Sequence, residues 1–192
     1  MKTLKEQLNE TLFNGKIPNE ARLRSLFWLD NFYKYIKDNR DRSIKNNPLF
    51  NVEAKEDGLY VTQLKIGTCI GLGDFKSKKA PELMIKYFDG QFYIMDSDID
   101  SFEGIFAPDC EFHGKLIIYD NKNIKNLIGL PPRMSESRIT GNPELHIDDC
   151  SSLKSFEGLP AGVSLRNVSG HHNGLSFADP DTIKELKKYI KP

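Results

Sequence analysis

The sequence predicts an α+β chain in which amino-terminal helices and β-hairpins lead into a short β-solenoid closed by a carboxy-terminal capping helix. Three observations carry this. LIIYDNKNIKNLIGLP, from Leu116, recurs in register and without a gap as LHIDDCSSLKSFEGLP, from Leu145, at an offset of 29. Upstream of that repeat the apolar period changes from helical to alternating. Downstream, an aspartate and a proline open a final amphipathic stretch. The resulting segments are a helical part over 1–47, a β-hairpin cap region over 48–90, the repeat array over 91–178 and the capping helix over 179–192.

In the first segment Leu4, Leu8 and Leu12 recur four residues apart among Lys and Glu, the stripe of a short amphipathic helix. Gly15 and Pro18 stop it, and Asn19 is placed to cap a second helix over about 20–37. Leu23, Leu26, Phe27, Phe32, Tyr33 and Ile36 make one broad apolar face there, and Trp28, Leu29 and Tyr35 extend it around the cylinder. So much apolar surface packs on the rest of the chain as a cap, or docks on a partner with Trp28, Phe32 and Tyr35 as the buried anchors. The polar stretch DNRDRSIKNN, 38–47, reads as a solvated linker.

Two hairpins are expected next. NVEAKE and LYVTQLKI flank Asp57-Gly58, and LMIKYF and QFYIM flank Asp89-Gly90, the two-residue turn that glycine makes accessible.

Within the array a third copy, DSDIDSFEGI from Asp96, aligns with NKNIKNLIGL from Asn121 at an offset of 25, and a degenerate fourth surrounds Ser176-Phe177. Periods of this length with LxxLxLxx(N/C)xL spacing belong to leucine-rich repeats. Leu116, Ile118, Asn121 and Ile124, then Leu145, Ile147, Cys150 and Leu153, reproduce the strand and its turn. Alternate strand positions point inward and stack on the next coil, because one coil alone cannot close a core. An Asn inside the bend can bond buried backbone groups, and Cys fills the same space. Gly104, Gly129 and Gly158 supply the turn that follows. The outward alternate positions, such as Tyr119, His146 and Asp148, are the expected contact residues for a partner. Asp179 as N-cap, Pro180 at the first helical position and Ile183, Leu186 and Ile190 on one face complete the chain.

The SFEGLP and NLIGLP cores, separated by a strand ending in Asn or Cys, resemble the short leucine-rich-repeat proteins of bacteriophages and gut bacteria, where a SLEGLP-like phrase recurs. The resemblance covers roughly 91–177, with repeats irregular in length and a fourth copy lacking Gly-Leu-Pro. It implies a solenoid used for binding another protein, a host factor or virion component, and implies no reaction and no catalytic residues. Two other readings stand beside it: a structural or accessory component of a phage particle, anchored by the amino-terminal helices, and, less favoured, an enzyme whose site no motif marks.

Composition narrows the classes. Lys+Arg and Asp+Glu number 27 each, so no net charge draws the chain to nucleic acid. No apolar stretch is long enough to span a bilayer, and Glu6 and Glu10 interrupt the place where a secretory signal is apolar. The expected location is therefore cytoplasmic, in a host or in a virion. Cys69, Cys110 and Cys150, an odd number at wide spacing, read as reduced and mostly buried. Asp96, Asp98 and Asp100 begin like a calcium loop, but Ser101 and Ala107 stand where that loop needs Gly and a bidentate Glu. No GxSxG, HExxH or phosphate-binding glycine pattern is present, so no metal, cofactor or catalytic residue is expected.

Overall fold

The computed structural model describes residues 20–40, 42–45, 47–171, 173–176 and 179–190; the helix expected around Leu4, Leu8 and Leu12 lies outside them. Helix α1 (Glu20–Tyr35) runs directly into β1 (Ile36–Asp38). Then follow β2 (Phe50–Lys55), β3 (Gly58–Gln63), β4 (Ile70–Gly73), β5 (Ile85–Met95), β6 (Phe106–Tyr119), β7 (Arg133–Ser135) and β8 (Glu144–Asp148). A single 3-10 turn (Leu165–Asn167), β9 (Val168–Ser169) and helix α2 (Pro180–Tyr189) end the chain.

The strands wind into a β-solenoid of about five turns. Four of the turns cross two parallel ladders, and the last joins the second ladder alone. The first runs through β3, the opening halves of β5 and β6, and β7; the second runs through β4, the closing halves of β5 and β6, β8 and β9. A third side, without a ladder, returns each coil to the next. The coils are thus β3 with β4, β5, β6, β7 with β8, and β9. A leucine-rich repeat contributes one strand per repeat, whereas β5 and β6 each cross both ladders here.

Inward positions repeat from coil to coil. On the second side Ile70, Phe92, Leu116, Leu145 and Val168 are register partners in sequence, and all are buried. Leu72, Ile94, Ile118 and Ile147 form the row beside them. On the first side Val61, Phe88, Phe112 and Met134 do the same, with the Phe88 and Phe112 rings stacked at 4.9 Å. The third side buries Ile99, Ile124 and Leu153, then Phe102, Leu127 and Phe156, the positions that the 25- and 29-residue offsets superpose. Each such side chain contributes about 1.5–3 kcal/mol of burial, and none has a core to enter until the next coil is laid down.

Asp57-Gly58 makes the expected hairpin, with Lys55 opposite Gly58 and β2 antiparallel to β3. The second expected hairpin does not form. Asp89 and Gly90 lie inside one continuous strand, β5, whose halves pair with different neighbours. Gly90 and Gly114 are register partners at the corner between the two sides, both with positive φ (144° and 115°). A Cβ at Gly114 would lie 2.1 Å from the Gly90 carbonyl oxygen. Glycine is required there for a bend and a close approach, two needs it also meets in a turn.

The stretch expected as a solvated linker is instead anchored. Asp38 and Ile44 are buried, and the Asp38 carboxylate accepts the backbone N–H groups of Arg40 and Arg42 at 2.9 and 3.0 Å and the Arg42 Nε–H at 2.7 Å. Helix α1 stops at Tyr35, two residues before the expected end, because Ile36–Asp38 gains a strand partner in Ile70–Leu72. At the far end the expected helix forms with its N-cap: Asp179 Oδ2 accepts the Thr182 N–H at 2.9 Å, and of the expected apolar face Leu186 is buried and Ile183 and Ile190 are half-buried.

Candidate functional site

Outward positions of the second ladder form the face on which the sequence placed its contact residues. Tyr119 and Asp148 are register partners on β6 and β8, and His146 lies two residues before Asp148 on the same side of the sheet. The structure therefore brings Tyr119, His146 and Asp148 together. Tyr119 is 40% exposed, and His146 Nε2 stands 3.5 Å from Asp148 Oδ2. Further along the same rows Lys115 pairs with its register partner Glu144 at 2.8 Å, and Ile117 is half-buried between Tyr93 and His146.

Two residues that sequence reasoning did not single out complete this face. Ser169, the register partner of His146 in the last coil, places its Oγ 2.8 Å from His146 Nδ1. Arg166 lines a shallow cavity of about 370 Å³ together with Gln91, Lys115, Ile117, Glu144 and Ser169. Ser169 falls where the repeat has lost its phrase, so no alignment within the chain points to it.

Past the strand ends runs a row of aspartates. Asp74, Asp96, Asp120 and Asp149 each follow the last residue of a second-side strand, and each has φ between 47° and 51°. Aspartate tolerates this left-handed region better than most residues because its short side chain bonds locally. The stacking crowds the carboxylates. Burial and the neighbouring Asp120 carboxyl raise the Asp96 carboxyl above the ordinary range, and the Tyr119 phenol is raised by Asp149 first and then by burial, Asp120 and Asp148. Just inside this row Ser97, and not the Asp96 that the offset of 25 aligns with Asn121, shares the bend position with Asn121 and Cys150, each of the three donating to the carbonyl two residues earlier. Burial pushes the Cys150 thiol up to about 11 and the Cys110 thiol higher, so both are inert packing groups, while Cys69 is half-buried.

The helical anchors lie elsewhere. Trp28 and Phe32 are buried in the common core, and the Trp28 indole N–H donates to Glu82 Oε1 at 3.1 Å. Tyr35 is half-buried, edge-on to Phe75 at 5.2 Å. Helix α1 packs on β1, β2 and β3 at the first coil, whereas the face above belongs to later coils. The exposed aromatic of this helix is Phe27, at 53%. Among the described residues no group of three or more His, Cys, Asp or Glu is placed to hold a metal ion, and no helix is long and apolar enough to cross a membrane. No family model matches the sequence, and no curated protein or solved structure matches it either.

Proposed function

We propose that the protein is an interaction module whose second-side face recognises another protein, with Tyr119, His146 and Asp148 among the contact residues. The observation that carries this reading is the convergence of these side chains, from two adjacent coils, onto one regular and accessible face. A stacked sheet holds such a surface without closing a deep cavity, which suits recognition of an extended partner surface. The finer likeness to leucine-rich-repeat proteins of phages and gut bacteria belongs to the same proposal, as do a partner that is a host factor or virion component and a cytoplasmic or virion location.

The alternative, an accessory of a phage particle anchored through the amino-terminal region, draws support from Phe27 and the groove of about 840 Å³ beside it rather than from Trp28 or Phe32. Affinity capture with the full chain distinguishes the two. A stoichiometric partner kept by Phe27→Asp and lost by folded Tyr119→Ala or Asp148→Arg supports the face; the opposite pattern supports the anchor. Equal capture by all of these chains would overturn the face reading.

A further inference from the structure

We infer that Ser169, His146 and Asp148 form a nucleophile, general base and orienting carboxylate for acyl transfer, and that the cavity beside them takes a small carboxylic ester. Ser169 Oγ is 2.8 Å from His146 Nδ1, inside the range in which an imidazole removes a hydroxyl proton. On the other side of the ring His146 Nε2 faces Asp148 Oδ2 at 3.5 Å. Asp148 is itself held, since its Oδ1 accepts the His171 backbone N–H at 2.6 Å. The Nε2 contact with Asp148 is a charge contact rather than a hydrogen bond, and with the ring proton on that nitrogen, beside the carboxylate, Nδ1 is left as the acceptor for the serine. The ring nitrogens are exchanged relative to the familiar serine-hydrolase arrangement, but the three roles are the same.

The arrangement is built by the sheet. His146 and Ser169 are register partners of β8 and β9, 23 residues apart, and Gly170 lets the last coil come this close: a Cβ there would lie 1.5 Å from the Ile147 carbonyl oxygen. Ser169 is exposed and borders the cavity of about 370 Å³, a volume suited to a small ligand. Arg166 and Asn167 line the same cavity, so a cation and an amide border the space in which an oxyanion would develop. This chemistry goes beyond the binding reading and does not depend on it.

In the reaction Ser169 Oγ bonds to the ester carbonyl carbon as its proton passes to His146 Nδ1. The tetrahedral intermediate collapses with cleavage of the bond to the alkoxy oxygen, which leaves as the alcohol with the proton from His146. Water then attacks the acyl-serine, gives a proton to His146, and the acid departs as Ser169 Oγ recovers its proton. Ester and water become acid and alcohol, with no other reactant.

The test exposes the full chain to a fluorophosphonate and, separately, to 4-nitrophenyl acetate. The expected result is one adduct, mapped to Ser169 by peptide mass, absent from His146→Ala, and nitrophenolate release that falls by about tenfold or more in Ser169→Ala. Ser164→Ala, at another exposed serine, leaves release unchanged, and Asp148→Asn lowers kcat with KM held, the mark of a positioning residue. No adduct at Ser169 in the wild-type chain, a reading that needs no folded variant, would overturn the inference. Equal release by folded Ser169→Ala and the wild-type chain would overturn it as well.

Discussion

Asn121, in the coil of β6, donates its Nδ2 amide to the carbonyl oxygen of Ile94 in the preceding coil, at 2.8 Å. The same nitrogen also donates to the carbonyl of Tyr119, two residues earlier in its own coil. Asn173 repeats the device in the last coil, donating to Ile147 at 2.7 Å and accepting the Cys150 N–H at 2.8 Å. Asn121 is fully buried, so its removal strands carbonyls away from water. Asn121→Ala is expected to cost about 2 kcal/mol in urea unfolding. Asn121→Asp should cost more, because a carboxylate can only accept and would face two carbonyl oxygens.

The inward row Ile70, Phe92, Leu116, Leu145 and Val168 runs through all five coils. A carboxylate at Leu145 would sit in its interior, fully buried and with no cation across the row. Leu145→Asp is therefore expected to cost more than about 4 kcal/mol and to abolish the cooperative thermal transition in circular dichroism. An unchanged melting temperature would contradict the register.

Two glycines with positive φ separate strain from crowding. Gly114 has a φ of 115° and a neighbouring carbonyl 2.1 Å from where a Cβ would stand, whereas Gly141 has a φ of 76° and open space around it. Gly141→Ala should cost only the left-handed penalty, about 1–2 kcal/mol. Gly114→Ala should cost clearly more, because the corner between the two sides must open to admit the methyl. Paired denaturation curves give the difference directly.

The array was legible because stacking imposes identity on inward positions: the two offsets that align Phe102, Leu127 and Phe156 describe the same stack the structure shows. Asn121 and Cys150 were legible for the same reason, as one bend position repeated. The first coils were not. Asp89-Gly90 has the composition of a hairpin turn, and only the neighbouring coil's Gly114 reveals it as a corner. Asp38 looked like part of a polar linker because its partners, backbone N–H groups of the next few residues, leave no mark in composition. Tyr119, His146 and Asp148 could be placed on one face by alternation alone, but Ser169 enters that face from a coil whose repeat phrase has been lost.

Asp38 and Asp96 should give stability profiles of opposite slope. At Asp38 burial works against the charge, but the Arg42 side chain and the backbone N–H groups of Arg42 and Arg40 hold the carboxyl below its ordinary value. Fewer protons are then bound folded than unfolded, so this contribution is present above the unfolded pKa and is lost as pH falls through the folded one. At Asp96 burial, the neighbouring Asp120 carboxyl and the nearby Asp74 raise the carboxyl, with Lys76 opposing them. The folded chain then binds the extra proton, so this contribution is present below the unfolded pKa and is lost as pH rises through the folded one. Asp38→Asn should lower the urea midpoint near neutrality, by an amount that shrinks as pH falls below about 4. Asp96→Asn should raise the midpoint near neutrality, since an amide can donate to Asp120 and Asn accepts the left-handed φ of 47°, and this gain should also shrink on acidification. A neutral-pH midpoint for Asp96→Asn below that of the wild-type chain would show that the carboxylates of adjacent coils do not share a proton.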